Sequence, residues 1–203
     1  MGRQPQPRIK DELLDRCADH ALAHGLPDRL QPLVEATGSS ARMLVYHFGT
    51  RDALLRAVLE RARQRQQTLY ADLLRPRPRE PYAATLRRAW ASMTGPEGQP
   101  YLRMFGQLRE DAEQQLWPGF RRLATTDWLS PLEDGLRSVG RPELATLVLA
   151  VLRGLFIDLD ATGDARRTGQ AFEEFLDLVD TGPGDPRQAG VSAAWTSLRR
   201  TER

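Results

Sequence analysis

The sequence predicts an all-α protein, with an N-terminal three-helix head of helix-turn-helix type followed by a larger helical body. Three observations predict it. Apolar residues recur at helical spacing through most of the chain, and no stretch alternates at the two-residue period of a strand. Glycine and proline divide the first 50 residues into three short helical units. The charge also changes sign along the chain: residues 1–79 carry 14 basic and 9 acidic groups, whereas residues 80–181 carry 11 and 16. A basic first third on an acidic body is the pattern of a polyanion-binding head on a body that does not bind polyanions.

Helix one is read from Ile9, Leu13, Leu14, Cys17, Ala18, Ala21 and Leu22, and it stops at Gly25 ahead of Pro27. A second helix follows over about 29–37, with Asp28 as a candidate N-cap and Pro32 tolerated in the first turn. Gly38 ends it. A third is expected over 41–47 with Ser40 as N-cap, and a long fourth from Arg51 to about Leu74. RPRPREP, residues 75–81, is the clearest linker. Beyond it, helices are expected over 83–93, 99–115, 125–140 with a bend or start at Pro131, 142–162 and 165–181. GPGDP at 182–186 breaks the chain again, and Val191, Trp195 and Leu198 fit one face of a last short helix in an otherwise flexible tail, 182–203. The domain reading is therefore a head over 1–50, a connecting helix over 51–74, a body over 75–181 and a tail.

Composition narrows the function classes. With 203 residues, 40% hydrophobic and 28% charged, the chain is long and apolar enough for a real core. A lone Cys17 excludes an internal disulfide framework and fits a reducing cytoplasm. The opening MGRQPQPRIK lacks the apolar run of a secretory signal, so a cytoplasmic location is expected. The most apolar run, 144–159, is too short to span a bilayer and contains Arg153 and Asp158. Lys10 is the single lysine and asparagine is absent, which fits biased codon usage and says little about function.

The chemistry sits in the first third. A helix-turn-helix needs a small residue in its turn, an apolar anchor on its first helix, and a second helix whose N-terminal end meets DNA. Leu33, Ala36, Thr37 and Gly38 supply the first two. Leu44 and Phe48, four apart, hold helix three inward, and Ala41, Arg42, Met43, Tyr46 and His47 are expected to face outward. Arg42 suits guanine, since a guanidinium donates two hydrogen bonds to O6 and N7. Tyr46 and His47 can donate to phosphate, and the helix N-termini at Ser40 and Thr50 attract it.

The stretch LQPLVEATGSSARMLVYHFGTRDALLRAVL, residues 30–59, resembles the DNA-binding signature of the TetR/AcrR repressor family. The matching positions are Gly38, Ser40, Leu44, His47, Phe48, Gly49, Thr50, Arg51, Leu54 and Leu55. The resemblance is strong over about 8–60 and weaker at LRGLFIDLDATGD, residues 152–164. Three positions depart from the signature: Ser39 replaces a valine, Val45 a tyrosine, and Arg51 a lysine with its charge retained. The resemblance implies a homodimeric regulator of transcription on a palindromic double-stranded DNA operator, most relatives being repressors. Its DNA-binding set here is Ser39, Ser40, Ala41, Arg42, Met43, Tyr46, His47, Thr50 and Arg51. It also implies a four-helix dimer interface from the last two long helices, which maps to Leu144, Val148, Val151, Leu155, Phe172, Phe175 and Val179.

The middle helices carry Trp90, Met93, Tyr101, Met104, Phe105, Trp117, Phe120, Trp128 and, further on, Phe156. Such residues serve either as plain core or as the wall of a cavity for an unknown, apolar small-molecule effector, with Arg103, Arg109 or Asp158 as polar anchors. No nucleotide loop, nucleophile elbow or zinc-protease signature occurs, so no cofactor, metal, membrane partner or catalysis is expected. His20 and His24 have metal-ligand spacing without a third ligand, and Asp158, Asp160 and Asp164 read as a solvated helix end. The open alternative is a helical ligand carrier or enzyme in which the helix-turn-helix is incidental.

Overall fold

The computed structural model describes residues 7–70, 72–108 and 110–180. The described residues are all-helical. They form α1 (Pro7–His24), α2 (Gln31–Thr37), α3 (Ala41–Phe48), α4 (Arg51–Tyr70), α5 (Tyr82–Thr94), α6 (Gln99–Gly106), α7 (Glu110–Leu116), α8 (Phe120–Arg137), α9 (Ala145–Thr162) and α10 (Ala165–Asp180). A single 3-10 turn, Pro142–Leu144, leads into α9. The expected helix around Val191, Trp195 and Leu198 lies outside the described residues.

Several elements differ from the sequence reading for local reasons. Asp28 does not cap α2; Leu30 occupies that place without a side-chain cap, and Pro32 stands in the first turn. α4 ends at Tyr70 rather than Leu74, and the turn after it folds Leu74 into the body's core. The single helix expected over 99–115 is two, α6 and α7. Gln107, at the break, reaches across to the head, where its Oε1 accepts from the Leu26 N–H at 3.1 Å. Pro131 lies inside α8, where it removes one backbone donor.

Two cores result. The first joins Leu13, Leu14, Cys17, Leu33, Leu44, Leu54, Leu55, Val58 and Leu59 to Met104, Leu108, Leu116 and Phe120. The three head helices thus share their core with α4 and with α6 to the start of α8. The second core joins Leu74, Tyr82, Leu86, Leu132, Leu136, Val148, Leu152, Phe172 and Leu176. Outside the first core, a charge ladder links α1 to α4. Arg61 reaches Asp11 (3.0 Å) and Asp15 (2.6 Å), and Arg65 reaches Asp15 (2.6 Å) and Asp19 (2.6 Å). Both helices repeat these charges every four residues, so the rows face one another along their length. Isolated exposed pairs contribute little, but a chain of shared carboxylates fixes register.

Two tests follow from this packing. Partial burial would raise the Asp15 pKa, but hydrogen bonds and charge from Arg65 and Arg61 outweigh it and hold the carboxyl below its ordinary 3.8. A depressed folded-state value contributes stability above the unfolded value, and that contribution disappears as pH falls through the folded one. Thermal unfolding followed from about pH 6 down to about pH 2 should therefore show a shallower acid loss in Asp15→Asn than in wild type. The second test concerns glycine. A Cβ at Gly135 in α8 would lie 2.0 Å from Cζ of the buried Tyr82, whereas one at Gly154 in α9 would meet nothing within 4 Å. Alanine gains about 1 kcal/mol over glycine inside a helix, but overpacking costs about 1–3 kcal/mol. Calorimetry should show Gly135→Ala lowering the melting temperature and Gly154→Ala raising it.

Candidate nucleic-acid interface and ligand cavity

The α2–α3 turn is built from its glycine outward. Gly38 takes a left-handed φ of 63° and closes α2 by donating its N–H to the Glu35 carbonyl. Thr37 Oγ1 donates to the Leu33 carbonyl at 2.7 Å and accepts from the Ser39 N–H at 3.4 Å. Arg16 on α1 donates to the Thr37 carbonyl at 3.0 Å, tying the turn to the first helix. Ser40 is extended, and its Oγ accepts from the Met43 N–H at 3.2 Å, as an N-cap should. Leu33 and Leu44 are wholly buried between the helices. Lys10 lies 5.4 Å from the Phe48 ring centroid, a cation–π contact that braces α3 against α1.

This leaves Ala41, Arg42, Met43, Val45 and Tyr46 exposed on one side of α3, with Tyr46 half exposed. The expectation for His47 is corrected. It is 9% exposed and packs beside Tyr46 and Phe48, and its Nδ1 and Nε2 are enclosed without a hydrogen-bond partner. The reason is helical geometry, since His47 stands three residues after Leu44 and shares its inward face. Val45 faces outward in its place, at a position the sequence marked only as a departure. Thr50 Oγ1 accepts from the Ala53 N–H at 3.1 Å and so caps α4. Arg51 is held within the chain: it donates to the Pro27 carbonyl and to Asp52, both at 2.9 Å. Ser39 is half buried, and Ser40 is exposed.

Behind the head, α4, α6, α8 and α9 enclose a cavity of about 450 Å³, open to solvent. Of the large side chains singled out in the sequence, Met93, Tyr101, Phe105, Phe120, Trp128 and Phe156 line it, joined by Tyr70. Trp90, Met104 and Trp117 do not line it. Trp90 is stacked on Phe156 and Phe172, with centroids 5.2 and 4.9 Å away. Met104 is sealed in the first core, and Trp117 packs on the Phe120 ring at 4.9 Å, beside a separate surface depression.

The expected polar anchors are also replaced. Arg103 does not line the cavity, Asp158 is paired with Arg167 at 2.6 Å, and Arg109 lies outside the described residues. The polar wall is instead Arg63 and Gln66 from α4, Arg121 and Thr125 from α8, and Arg153 from α9. Arg63 is buried. It donates to Gln66 Oε1 at 2.6 Å and to Asp127 Oδ2 at 2.8 Å, and its guanidinium lies 5.3 Å from the Trp128 centroid. Its Nε has no partner, and neither does the enclosed hydroxyl of Tyr70. Burial pushes the Tyr70 pKa up to about 12, so this hydroxyl stays a neutral donor. Burial likewise pushes the Cys17 thiol up to about 11, in keeping with a packed, unreactive side chain.

Of the seven expected interface residues, four face inward. Val148 and Phe172 are wholly enclosed within one chain, and Phe175 and Val179 nearly so. Leu144, Val151 and Leu155 are half buried against the same core. The apolar stripe of α9 is wide enough to serve two faces, and the row through Val148 and Leu152 turns inward. The large apolar side chains left exposed on α9 and α10 are Leu147, Ile157 and Leu178. No group of three metal-ligating side chains and no helix long and apolar enough to cross a membrane occurs among the described residues.

No family profile matches the chain, and no curated protein matches it in sequence. The fold does recur in solved structures. The crystal structure of a transcriptional regulator from Rhodococcus sp. RHA1 aligns with a TM-score of 0.67 at 19% identity, over 86% of this chain and 99% of that one. The crystal structure of a putative transcriptional regulator from the same organism aligns with a TM-score of 0.60 at 20% identity, over 84% and 93%. At these identities the likeness is one of fold.

The turn itself can be tested without DNA. Loss of the N-cap should cost about 1 kcal/mol, so Ser40→Ala should unfold at lower denaturant concentration than wild type, while Ser40→Asp should not.

Proposed function

We propose that the chain is a sequence-specific DNA-binding transcription regulator of TetR/AcrR type, a cytoplasmic homodimeric repressor released from a palindromic operator by a small apolar effector. One observation carries the reading: the capped α2–Gly38–α3 unit keeps Arg42, Met43 and Val45, beside the half-exposed Tyr46, on one face of α3 that is exposed among the described residues. On this reading α3 enters the major groove. Arg42 reads base edges, Met43 and Val45 offer apolar contact to thymine methyls, and Tyr46 with the α3 and α4 N-termini meets phosphate. The fold shared with two transcriptional regulators supports the same reading. The cavity alone would serve a ligand carrier equally well; the exposed α3 face favours the regulator.

A single head buries too little for tight specific binding, and a palindrome needs two heads about 34–36 Å apart. The exposed Leu147, Ile157 and Leu178 support a second copy meeting the α9–α10 side. Release follows from α4, whose first turn follows the recognition helix and whose last turns form a cavity wall. An effector that favours a different placement of those turns favours a different spacing of the heads.

Selection of bound fragments from random DNA tests this reading, with wild type compared with Arg42→Ala and Tyr46→Ala. Enrichment of a palindrome by wild type, with relaxed preference in Arg42→Ala worth about 1–3 kcal/mol at one base pair, is expected. Failure of wild type to be retained on any DNA at low salt would overturn the regulator reading in favour of the ligand carrier.

A further inference from the structure

The cavity's charges do not balance. Three guanidiniums border it, those of Arg63, Arg121 and Arg153. Arg63 is paired with Asp127, and Arg121 with Glu113. Arg153 is half buried, and among the described residues it donates to a neutral partner, Thr125 Oγ1 at 2.9 Å. No carboxylate lines the cavity or pairs with Arg153 among the described residues. Burial, and then the nearby Arg63 charge, lowers the Arg153 pKa below that of an ordinary arginine, the direction expected of a guanidinium beside another cation. On the α4 side, Arg63 Nε and the Tyr70 hydroxyl belong to lining residues but are themselves enclosed, with no hydrogen-bond partner among the described residues. A buried donor without an acceptor is costly. Around these donors the walls are aromatic: Tyr101, Phe105, Trp128 and Phe156.

We infer that the cavity binds an amphipathic monoanion, a carboxylate on an apolar or aromatic body, with the carboxylate on Arg153 and the body against Trp128, Phe105 and Phe156. The inference names the chemical class of the effector in the function proposed above and rests on that reading. A guanidinium presents two parallel N–H donors that match a carboxylate, and such pairs are the stronger hydrogen bonds. The volume, about 450 Å³, lies within the roughly 300–1,000 Å³ of small-molecule sites. A neutral analogue of the same shape would leave the extra positive charge uncompensated, and a cationic one would add to it.

The test uses the full chain without DNA, so that its outcome is separate from that of DNA binding. Calorimetric titration would compare decanoate with decan-1-ol, and naphthalene-2-carboxylate with naphthalen-2-ylmethanol. In at least one pair the carboxylate should bind roughly ten-fold or more tighter than its alcohol. Arg153→Gln should abolish that preference while leaving alcohol binding in place, and Arg153→Lys, which keeps the cation, should retain part of it. Melting curves of both variants would confirm folding. Equal binding of acid and alcohol in both pairs, no binding of either acid, or a preference that survives in Arg153→Gln would each overturn the inference. Should decanoate or the naphthoate bind while no DNA is retained, the ligand class stands and the regulator reading falls.

Discussion

The structure depends on one helix being buried at both ends by different partners. The first three turns of α4 bring Leu54, Leu55, Val58 and Leu59 into the core shared with α1, α2 and α3. The next turns bring Arg63, Gln66 and Tyr70 to the cavity wall, all of them buried. A helix is stiff over this length, about 30 Å for 20 residues. Its two ends therefore cannot be positioned independently. The apolar end is fixed by packing of the ordinary kind, at about 25 cal/mol for each Å² of apolar surface removed from water. The polar end is fixed by directional contacts, which are satisfied in one arrangement and lost in others.

Arg63 shows why that end is sensitive. A buried guanidinium is tolerated only when its desolvation is offset by a carboxylate and further hydrogen bonds. Asp127 and Gln66 supply these, and the Trp128 ring offers its negative face. Asp127 and Trp128 belong to α8, so the contact is also a latch between α4 and α8. The Arg63 guanidinium is more deeply buried than those of Arg61 and Arg65, whose half-buried ladder lies on the opposite, α1-facing side of the helix. Breaking a buried pair costs several-fold more than breaking a surface one.

How much of this was legible in the sequence depends on the range of the interaction. The helix-turn-helix is local: Gly38 at a left-handed turn, Ser40 as a cap, and Leu33 with Leu44 as anchors are decided within a dozen residues, and the structure places them as read. His47 failed because an outward role was assigned by residue type, although its spacing from Leu44 placed it inward. In the body, helical period showed which residues are apolar but not which neighbour each row meets. Val148 and Phe172 therefore read as interface and are core, and Trp90 read as cavity wall and is packed between rings. Arg63, Gln66 and Arg153 were not anticipated at the cavity. Their role comes from α8 crossing α4 and α9, contacts separated by 28 residues for Arg153 with Thr125 and 64 for Arg63 with Asp127.

The magnitudes decide whether such a cavity is sufficient for control. A hundred-fold loss of DNA affinity requires about 2.8 kcal/mol of differential ligand binding between two arrangements. Aromatic burial contributes little to that difference if both arrangements keep the walls in contact with the ligand, because equal binding to two states shifts nothing. A hydrogen bond to a charged group contributes about 1.5–3 kcal/mol and depends steeply on geometry. On the proposed reading, an anion that met Arg153 in both arrangements but a second charged or hydrogen-bonding partner in only one would have a differential of the required size. On that reading, the polar groups that α4 brings to the cavity wall, Arg63 and Gln66, are the ones through which occupancy would act on the helix that also packs against the head.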